Sequence, residues 1–284
     1  MSITNGFNRA ESATMSTLRR CAANLVTAGT LLARPTRVNG WRFPRLELRT
    51  MVIVAGITVA VFALLMTTID AAVVRGVGHV PGWIVSVFDD ITDFGKSGWF
   101  LWPLGILFLA LAAFPPVLTT FSQRVLATIM VRVGFLFAAI AVPSLLVTIV
   151  KRIIGRARPY VGGSLDPLLF SPFAWVPAYA GMPSGHATTA FAVLVAFGTL
   201  WPRARTILVV YAVLIAISRP MLIAHYPSDV LAGALFGIVG AMIVRRYFAE
   251  RRLGFAIGAD GKIHQYPGPS LKRIKAVARG LLSP

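Results

Sequence analysis

The chain has 284 residues, 56% of them hydrophobic and only 13% charged, with a mean hydropathy of +0.74. A soluble domain carries about a quarter charged residues, so this composition excludes an ordinary soluble protein and points to a membrane bundle. The formal net charge of +18 fits basic loops and tails facing anionic lipid rather than nucleic acid, and a single cysteine, Cys21, excludes an internal disulfide and a cysteine-rich metal site.

Residues 1–50 are polar, with many Arg and few acids. Within them Cys21–Ala33 is mildly apolar and follows Arg19-Arg20, as a signal-peptide core would. Asn24 and Thr27 interrupt it and no convincing small-residue cleavage site follows, so it reads as a cytosolic or interfacial tail. Six apolar spans come next: Met51–Val74, Trp99–Leu118, Val133–Val150, Ser184–Trp201, Thr206–Ser218 and Ser228–Val244. The first carries one acid, Asp70, near its end. The second opens with Trp99 and Trp102, suited to a membrane interface. The fifth has a short apolar core. It crosses only if its helix continues through Arg219 towards Ala224, with Arg219 facing protein or water.

Between the first two spans, Asp89-Asp90-Ile91-Thr92-Asp93 spells D-D-x-x-D, a pattern that holds magnesium in other settings. No second such motif exists in the chain. The flanking Trp83, Ile84, Val87, Phe88, Ile91 and Phe94 predict an amphipathic helix on the outer surface with a solvated acidic face; a metal or substrate role for the acids is the rival reading. After the sixth span, Leu271, Ile274, Val277 and Leu281 against Lys272, Arg273, Lys275 and Arg279 predict a basic amphipathic helix on the cytoplasmic leaflet. The expected organisation is a basic cytoplasmic tail over 1–50, an all-α six-span domain over 51–248, and a basic cytoplasmic tail over 249–284.

Loop charges orient such a bundle. With both tails on one side, that side holds twenty-one of the Lys and Arg residues and the other holds seven. The positive-inside rule then puts both termini in the cytoplasm. Three polar motifs fall together on the outer face: Lys151 to Pro159 (K-R-I-I-G-R-A-R-P), Pro183-Ser184-Gly185-His186, and Ser218-Arg219 with His225 and Asp229.

Each motif has its own chemistry. Lys151 and Arg158 are seven apart, which predicts one face of a helix leaving the third span and ended by Pro159. Two cations on one face grip a phosphate, Arg as a fork and Lys as a point charge; an ordinary basic flank is the plainer alternative. Ser184 and Gly185 sit where a loop becomes the fourth helix, so free amides and a close backbone approach suit an anion. His186 projects beside it. Pro227 suits the first turn of the sixth helix. His225 lies just ahead of that turn, and Asp229 lies within it. A carboxylate on one imidazole nitrogen fixes the tautomer and frees the other nitrogen as a nucleophile.

Jointly, the motifs resemble the signature of the type 2 phosphatidic acid phosphatase superfamily: K-x6-R-P, P-S-G-H and S-R-x5-H-x3-D. The match has no gap and runs through Lys151, Arg158, Pro159, Pro183, Ser184, Gly185, His186, Ser218, Arg219, His225 and Asp229. The resemblance covers about residues 51–248. It implies a metal-independent phosphatase without cofactors, acting on a lipid-linked phosphate or diphosphate, and the loop charges place that site at the outer leaflet of a bacterial inner membrane. By the same resemblance His225 attacks phosphorus, His186 protonates the leaving oxygen and then activates water, and Asp229 orients His225. Lys151, Arg158, Arg219, Ser184 and Gly185 hold the phosphoryl oxygens. Candidate substrates are phosphatidate, phosphatidylglycerol phosphate, a polyprenyl diphosphate and a lipid A phosphate. The rivals are a sugar-phosphate phosphatase of the same superfamily and a catalytically silent lipid-phosphate binder or transporter. Intact His186, His225 and Asp229 argue against a binder, which needs no nucleophile.

Overall fold

The computed structural model describes residues 18–30, 32–36, 47–113 and 120–282. Most of the N-terminal tail and the end of the second apolar span, 114–118, lie outside the described residues. The described residues are helical apart from loops and one short hairpin, as expected for an all-α membrane bundle. Among the described residues, five helical stretches are long and apolar enough to cross a membrane: Leu48–Val77, Gly82–Ala113, Phe121–Ile154, Pro202–Met221 and Pro227–Glu250. The remaining expected span falls on a shorter apolar helix, Gly185–Leu200.

Helix α1 covers residues 18–30. Helices α2 (Leu48–Leu64) and α3 (Asp70–Val77) are joined through a π-turn at Leu65–Ile69. Next comes α4 (Gly82–Thr92), which is the expected amphipathic helix. A 3₁₀ turn at Asp93–Gly95 leads into α5 (Gly98–Ala113), and then α6 runs for 35 residues (Thr120–Ile154). Helix α7 (Gly185–Leu200) starts inside the second motif. Helix α8 (Arg205–Met221) does continue through Arg219, which is buried, as the fifth span required. Helix α9 (Pro227–Glu250) begins at Pro227 and extends six residues past the sixth apolar span. The last helix is α10 (Leu271–Leu282).

The chain divides into two compact units. One comprises Met1–Val38, Trp102–Phe135 and Arg246–Pro284. In it Ala28 of α1 packs with Ala112 and Met130, and Asn24 donates to the Ala113 carbonyl at 3.2 Å. The Phe135 ring meets Phe248 and Phe255 edge-on, at centroid distances of 5.5 and 4.8 Å. A hairpin that the sequence pattern did not foretell pairs β1 (Phe255–Ile257) with β2 (Ile263–Gln265) antiparallel, with Ala256 opposite His264. The Arg132 Nη2 donates to the Tyr266 carbonyl just beyond it, at 2.7 Å. Val277 is the buried contact of α10, in line with its predicted apolar stripe.

The other unit, Asn39–Leu101 with Leu136–Arg245, holds all three motifs. Its interior is built from small residues. Helix α7 buries Ala187, Ala190, Ala192 and Ala196. Ala190 packs with Ala212 and Ile215 of α8. Helix α9 approaches α7 on a glycine face: a Cβ at Gly233 would lie 2.3 Å from the Ser184 carbonyl oxygen, and one at Gly237 would lie 2.3 Å from that of Thr188. Such close backbone approach drives helix packing in lipid, where burial of apolar surface contributes little.

This packing has a direct test. Gly237→Ala must push backbone, which costs on the order of 1–3 kcal/mol in a close-packed site, and it should lower the thermal midpoint in detergent. Gly76→Ala, with open space around it, should not. Equal midpoints for the two variants would contradict the close approach.

Candidate active site

Helix α6 delivers Lys151 in its last turn and stops at Ile154. The expectation that Lys151 and Arg158 share a helix face is therefore corrected. Gly155 takes φ +63°, and a Cβ there would stand 1.8 Å from the Ser171 carbonyl oxygen, so the chain leaves the helix four residues before Pro159. Residues 155–158 are then held by the following loop, Arg156 in an antiparallel bridge with Phe170. Ser171 N–H donates to Gly155 O at 2.7 Å, Ala157 N–H to Leu169 O at 2.9 Å, Gly181 N–H to Arg156 O at 2.9 Å, and Arg158 N–H to Ala178 O at 2.9 Å.

This clamp turns Arg156 fully inward. Its five N–H donors make five bonds. Nε and Nη2 donate to Pro167 O at 3.0 and 2.8 Å. Nη1 donates to Ser228 Oγ and to Asp229 Oδ1, each at 2.6 Å. Nη2 also donates to Asp70 Oδ2 at 2.7 Å. Arg156, Asp70 and Asp229 are all inaccessible to solvent. Asp70 in turn accepts from Ser228 N–H at 2.9 Å and from Ser228 Oγ at 2.5 Å. The Tyr226 ring lies 4.7 Å from the guanidinium, and burial pushes its phenol up to about 12, so it stays neutral there.

Asp229 is fixed from three directions. Beyond Arg156, its Oδ2 accepts from Tyr226 N–H at 2.9 Å, and its carbonyl accepts from Ser184 N–H at 2.9 Å. The second bond ties the start of α7 to the first turn of α9. His225 is buried, and its Nδ1 stands 3.7 Å from Asp229 Oδ2, an ion-pair distance beyond hydrogen-bond reach. Burial is the larger influence on His225 and pushes its pKa below the ordinary 6.5, against the opposing pull of Asp229. The imidazole is thus neutral at neutral pH.

Arg219 Nη1 donates to Thr92 Oγ1 at 2.5 Å, and Ser218 Oγ lies 3.0 Å from the same hydroxyl. Lys151 Nζ reaches to 3.4 Å from where a Gly185 Cβ would be. The expected site residues form one electrostatic neighbourhood. His186 feels Arg219, His225 and Lys151, while His225 feels Arg219 and Arg158. Lys151 feels Arg158 and Arg219. Four of these groups keep a buried polar atom with no hydrogen-bond partner: Arg158 Nε, Ser184 Oγ, Arg219 Nε and His225 Nδ1. Of the D-D-x-x-D acids, Asp89 acts on Arg219 through its charge. Asp89 and Asp90 are exposed, and Asp93 pairs with Lys96 at 2.7 Å. Among the described residues no group of three His, Cys, Asp or Glu has metal-holding geometry.

Three residues of this architecture escaped the motif analysis. Asp70 carried a signal, as the lone acid in an apolar span. Arg156 was one of four cations in a basic stretch, with nothing to single it out. Thr92 carried none.

A set of cations, a hydroxyl and imidazoles gathered at the ends of apolar helices is the equipment of a membrane enzyme of phosphate chemistry. A sequence model of the PAP2 superfamily matches residues 132–253. The "Lipid A 1-phosphatase" of Rhizobium johnstonii is 33% identical over 206 residues, covering 72% of this chain and 84% of the relative. The protein of the same name from Rhizobium etli is 34% identical over 206 residues, covering 72% and 88%. Among solved structures, LpxE of Aquifex aeolicus aligns with a TM-score of 0.46 at 24% identity, covering 63% of this chain and 96% of that one. The first transmembrane PAP2 type phosphatidylglycerolphosphate phosphatase from Bacillus subtilis aligns at 0.43 and 20%, covering 80% and 95%. The chain belongs to the PAP2 superfamily and is an integral, multi-pass membrane phosphatase. Its chemistry is that of a metal-independent lipid phosphatase.

The buried clamp predicts a hierarchy of damage. Arg156→Ala strands two carboxylates and should cost roughly 3–5 kcal/mol of stability, together with phosphatase activity. Asp70→Asn keeps an acceptor for Ser228 and should cost less. Arg156→Lys should not rescue, because one ammonium cannot make five directed bonds. Unfolding midpoints in detergent and phosphate release check the order; a wild-type midpoint for Arg156→Ala would refute it.

Proposed function

We propose that this enzyme removes a phosphate from a sugar-headed lipid of the lipid A type, through a phosphohistidine at His225. The observation that carries the mechanism is the set of partnerless buried donors, Arg158 Nε, Ser184 Oγ and Arg219 Nε, around a neutral imidazole. Buried polar atoms are normally paired, and a tetrahedral dianion pairs these. The substrate class rests on the two relatives named for lipid A 1-phosphate, aligned over most of their length.

In the first step His225 Nε2 bonds to phosphorus as the bond from phosphorus to the leaving oxygen breaks. His186 delivers the proton to that oxygen. In the second step His186 takes a proton from water, the water oxygen attacks phosphorus, and the bond to His225 breaks to release phosphate. Asp229 stabilises the charge that His225 gains, and Arg156 fixes Asp229. Lys151, Arg158, Arg219, Ser184 and the Gly185 amide hold the non-reacting oxygens, as preorganised donors that strengthen as charge develops. No cofactor enters.

The test is phosphate release from lipid A 1-phosphate by purified protein, together with acid-quench trapping. His225→Ala should abolish both turnover and the trapped phosphoenzyme. His186→Ala should still form some phosphoenzyme from a good leaving group. Because burial holds His225 below 6.5, the acid limb of kcat/KM should lie below pH 6.5, where protonation of the nucleophile first removes activity. A phosphohistidine forming normally in His225→Ala, or an acid limb above pH 6.5, would overturn the assignment.

The site opens on the outer face of a bacterial inner membrane, with both termini cytoplasmic. The twenty-one to seven split of cations supports this orientation. The alternation of motif-bearing helix ends, the close of α6, the start of α7, the close of α8 and the start of α9, supports one common face for the three motifs. In a Cys21→Ser background, a membrane-impermeant thiol reagent should label a cysteine at exposed Ser164 from outside and spare one at exposed Ser270. The reverse pattern would invert the topology.

A further inference from the structure

Two clefts that share no residue with the active site lie within the unit formed by Met1–Val38, Trp102–Phe135 and Arg246–Pro284. One, of about 330 Å³, has Arg124 and Arg273 in its wall. The other, of about 270 Å³, has Arg34, Arg132 and Arg252. Thr128 and Pro267 line both, so the two clefts are neighbours. Arg124, Thr128 and Arg132 follow one another at i, i+4 spacing and share one stripe of α6. Between the arginines the walls are apolar, with Val125, Val131 and Leu253 buried.

No carboxylate lines either cleft. Among the described residues none stands within ion-pair distance of Arg124, Arg132, Arg252 or Arg273. Neutral carbonyls hold the arginines that are tethered. Arg132 donates from Nη2 to Tyr266 O at 2.7 Å and from Nη1 to Thr128 O at 3.3 Å, and Arg34 donates to the Arg252 carbonyl. Such acceptors fix a guanidinium without cancelling its charge. The backbone of Arg252 is fixed as well, at φ +52° with the next N–H, that of Leu253, on Phe248 O at 2.8 Å. The exposed guanidiniums of Arg124, Arg252 and Arg273 have no protein acceptor among the described residues. Cations gathered without a counter-charge repel one another. A phosphate group relieves that repulsion and offers oxygens in the geometry that an arginine fork matches.

We propose that the two clefts form one binding site for the phosphate-bearing headgroup of an anionic membrane lipid. The bilayer supplies the occupant. The apolar stretch of α6 that begins at Phe121 runs for 34 residues. At about 1.5 Å per residue it exceeds a hydrocarbon core of about 30 Å, so its first turns have length to spare for the headgroup layer. The mixed wall suits a lipid better than a free anion: arginines take the phosphate, and the apolar side chains between them take the start of an acyl chain. On the orientation proposed above this is a lipid of the cytoplasmic leaflet, but the site itself does not depend on that orientation. Its occupant is held and not hydrolysed, because no nucleophile stands in either wall.

The experiment follows the thermal midpoint of the full-length protein in non-ionic detergent, with dioctanoyl phosphatidylglycerol or dioctanoyl phosphatidylcholine added. The anionic lipid should raise the midpoint by about 2–4 °C at saturating concentration, and the zwitterionic one should not. The Arg124→Gln/Arg252→Gln double variant should keep the lipid-free midpoint, since neither guanidinium holds the protein together, and should lose the rise. Lys272→Gln/Lys275→Gln changes two exposed cations of α10 outside the clefts and should keep it. An equal rise with both lipids, or a rise that survives Arg124→Gln/Arg252→Gln, would overturn the site. A rise lost equally in the two double variants would reduce it to diffuse attraction to a basic surface and overturn it too. Inorganic phosphate at matched ionic strength separates the two sources of phosphate: a rise as large as the lipid's would make the occupant a free anion and overturn the lipid assignment.

Discussion

A guanidinium shut away from water, with a carboxylate on either side, is the constraint on which the rest of this molecule depends. Taking Arg156, Asp70 and Asp229 out of solvent costs several kcal/mol per charge, and the arrangement survives only because the geometry is complete. Each of the five N–H donors of Arg156 is used, and the second acceptor positions of Asp70 and Asp229 are filled by backbone or hydroxyl donors. The partners lie in the first span, the loop after α6 and the start of the last span. Loop 155–181, α3 and α9 are thereby locked in one register around the residue that supports His225.

Satisfaction of donors also sorts the arginines of this site by role. Arg156 has no donor left over, so it has nothing to offer a ligand and acts as scaffold. Arg158 and Arg219 each keep a buried Nε without a protein partner. Their other attachments are few and directional: the Arg158 backbone on Ala178, and the Arg219 guanidinium on Thr92. The buried polar atom that pays no structural role is the one available to a phosphate. The same contrast holds for the two serines, Ser228 fully bonded within the clamp and Ser184 Oγ left free.

The glycine face of α9 turns this electrostatic design into a rigid one. With Gly233 and Gly237 against the carbonyls of Ser184 and Thr188, α7, which carries His186, and α9, which His225 immediately precedes, sit closer than any side chain would allow. That closeness lets Ser184 N–H reach the Asp229 carbonyl and fixes the spacing between His186 and His225. For the proposed two-step transfer, in which one imidazole would attack and the other handle protons, spacing held by backbone rather than by long side chains would supply the orientation that such catalysis needs.

Much of this was legible along the chain. Apolar runs located the five long apolar helices and the shorter one at Gly185–Leu200, Pro227 marked the start of α9, and the three motifs named Lys151, Arg158, Ser184, Gly185, His186, Arg219, His225 and Asp229 as neighbours before any fold existed. Those signals are local: periodicity, composition, and residue types at short fixed spacing. What the chain by itself could not reveal lies in pairings between distant residues. Asp70 and Arg156 are 86 residues apart, and Thr92 and Arg219 are 127. The helix end at Ile154 was missed for the same reason. The left-handed turn at Gly155 is dictated by Ser171 pressing on it from a later loop. Sequence determined which groups exist and which helix ends carry them. Only the tertiary structure decided which arginine is buried as a clamp and which are left to meet a phosphate, because desolvation and donor satisfaction are properties of the packed neighbourhood and not of the residue.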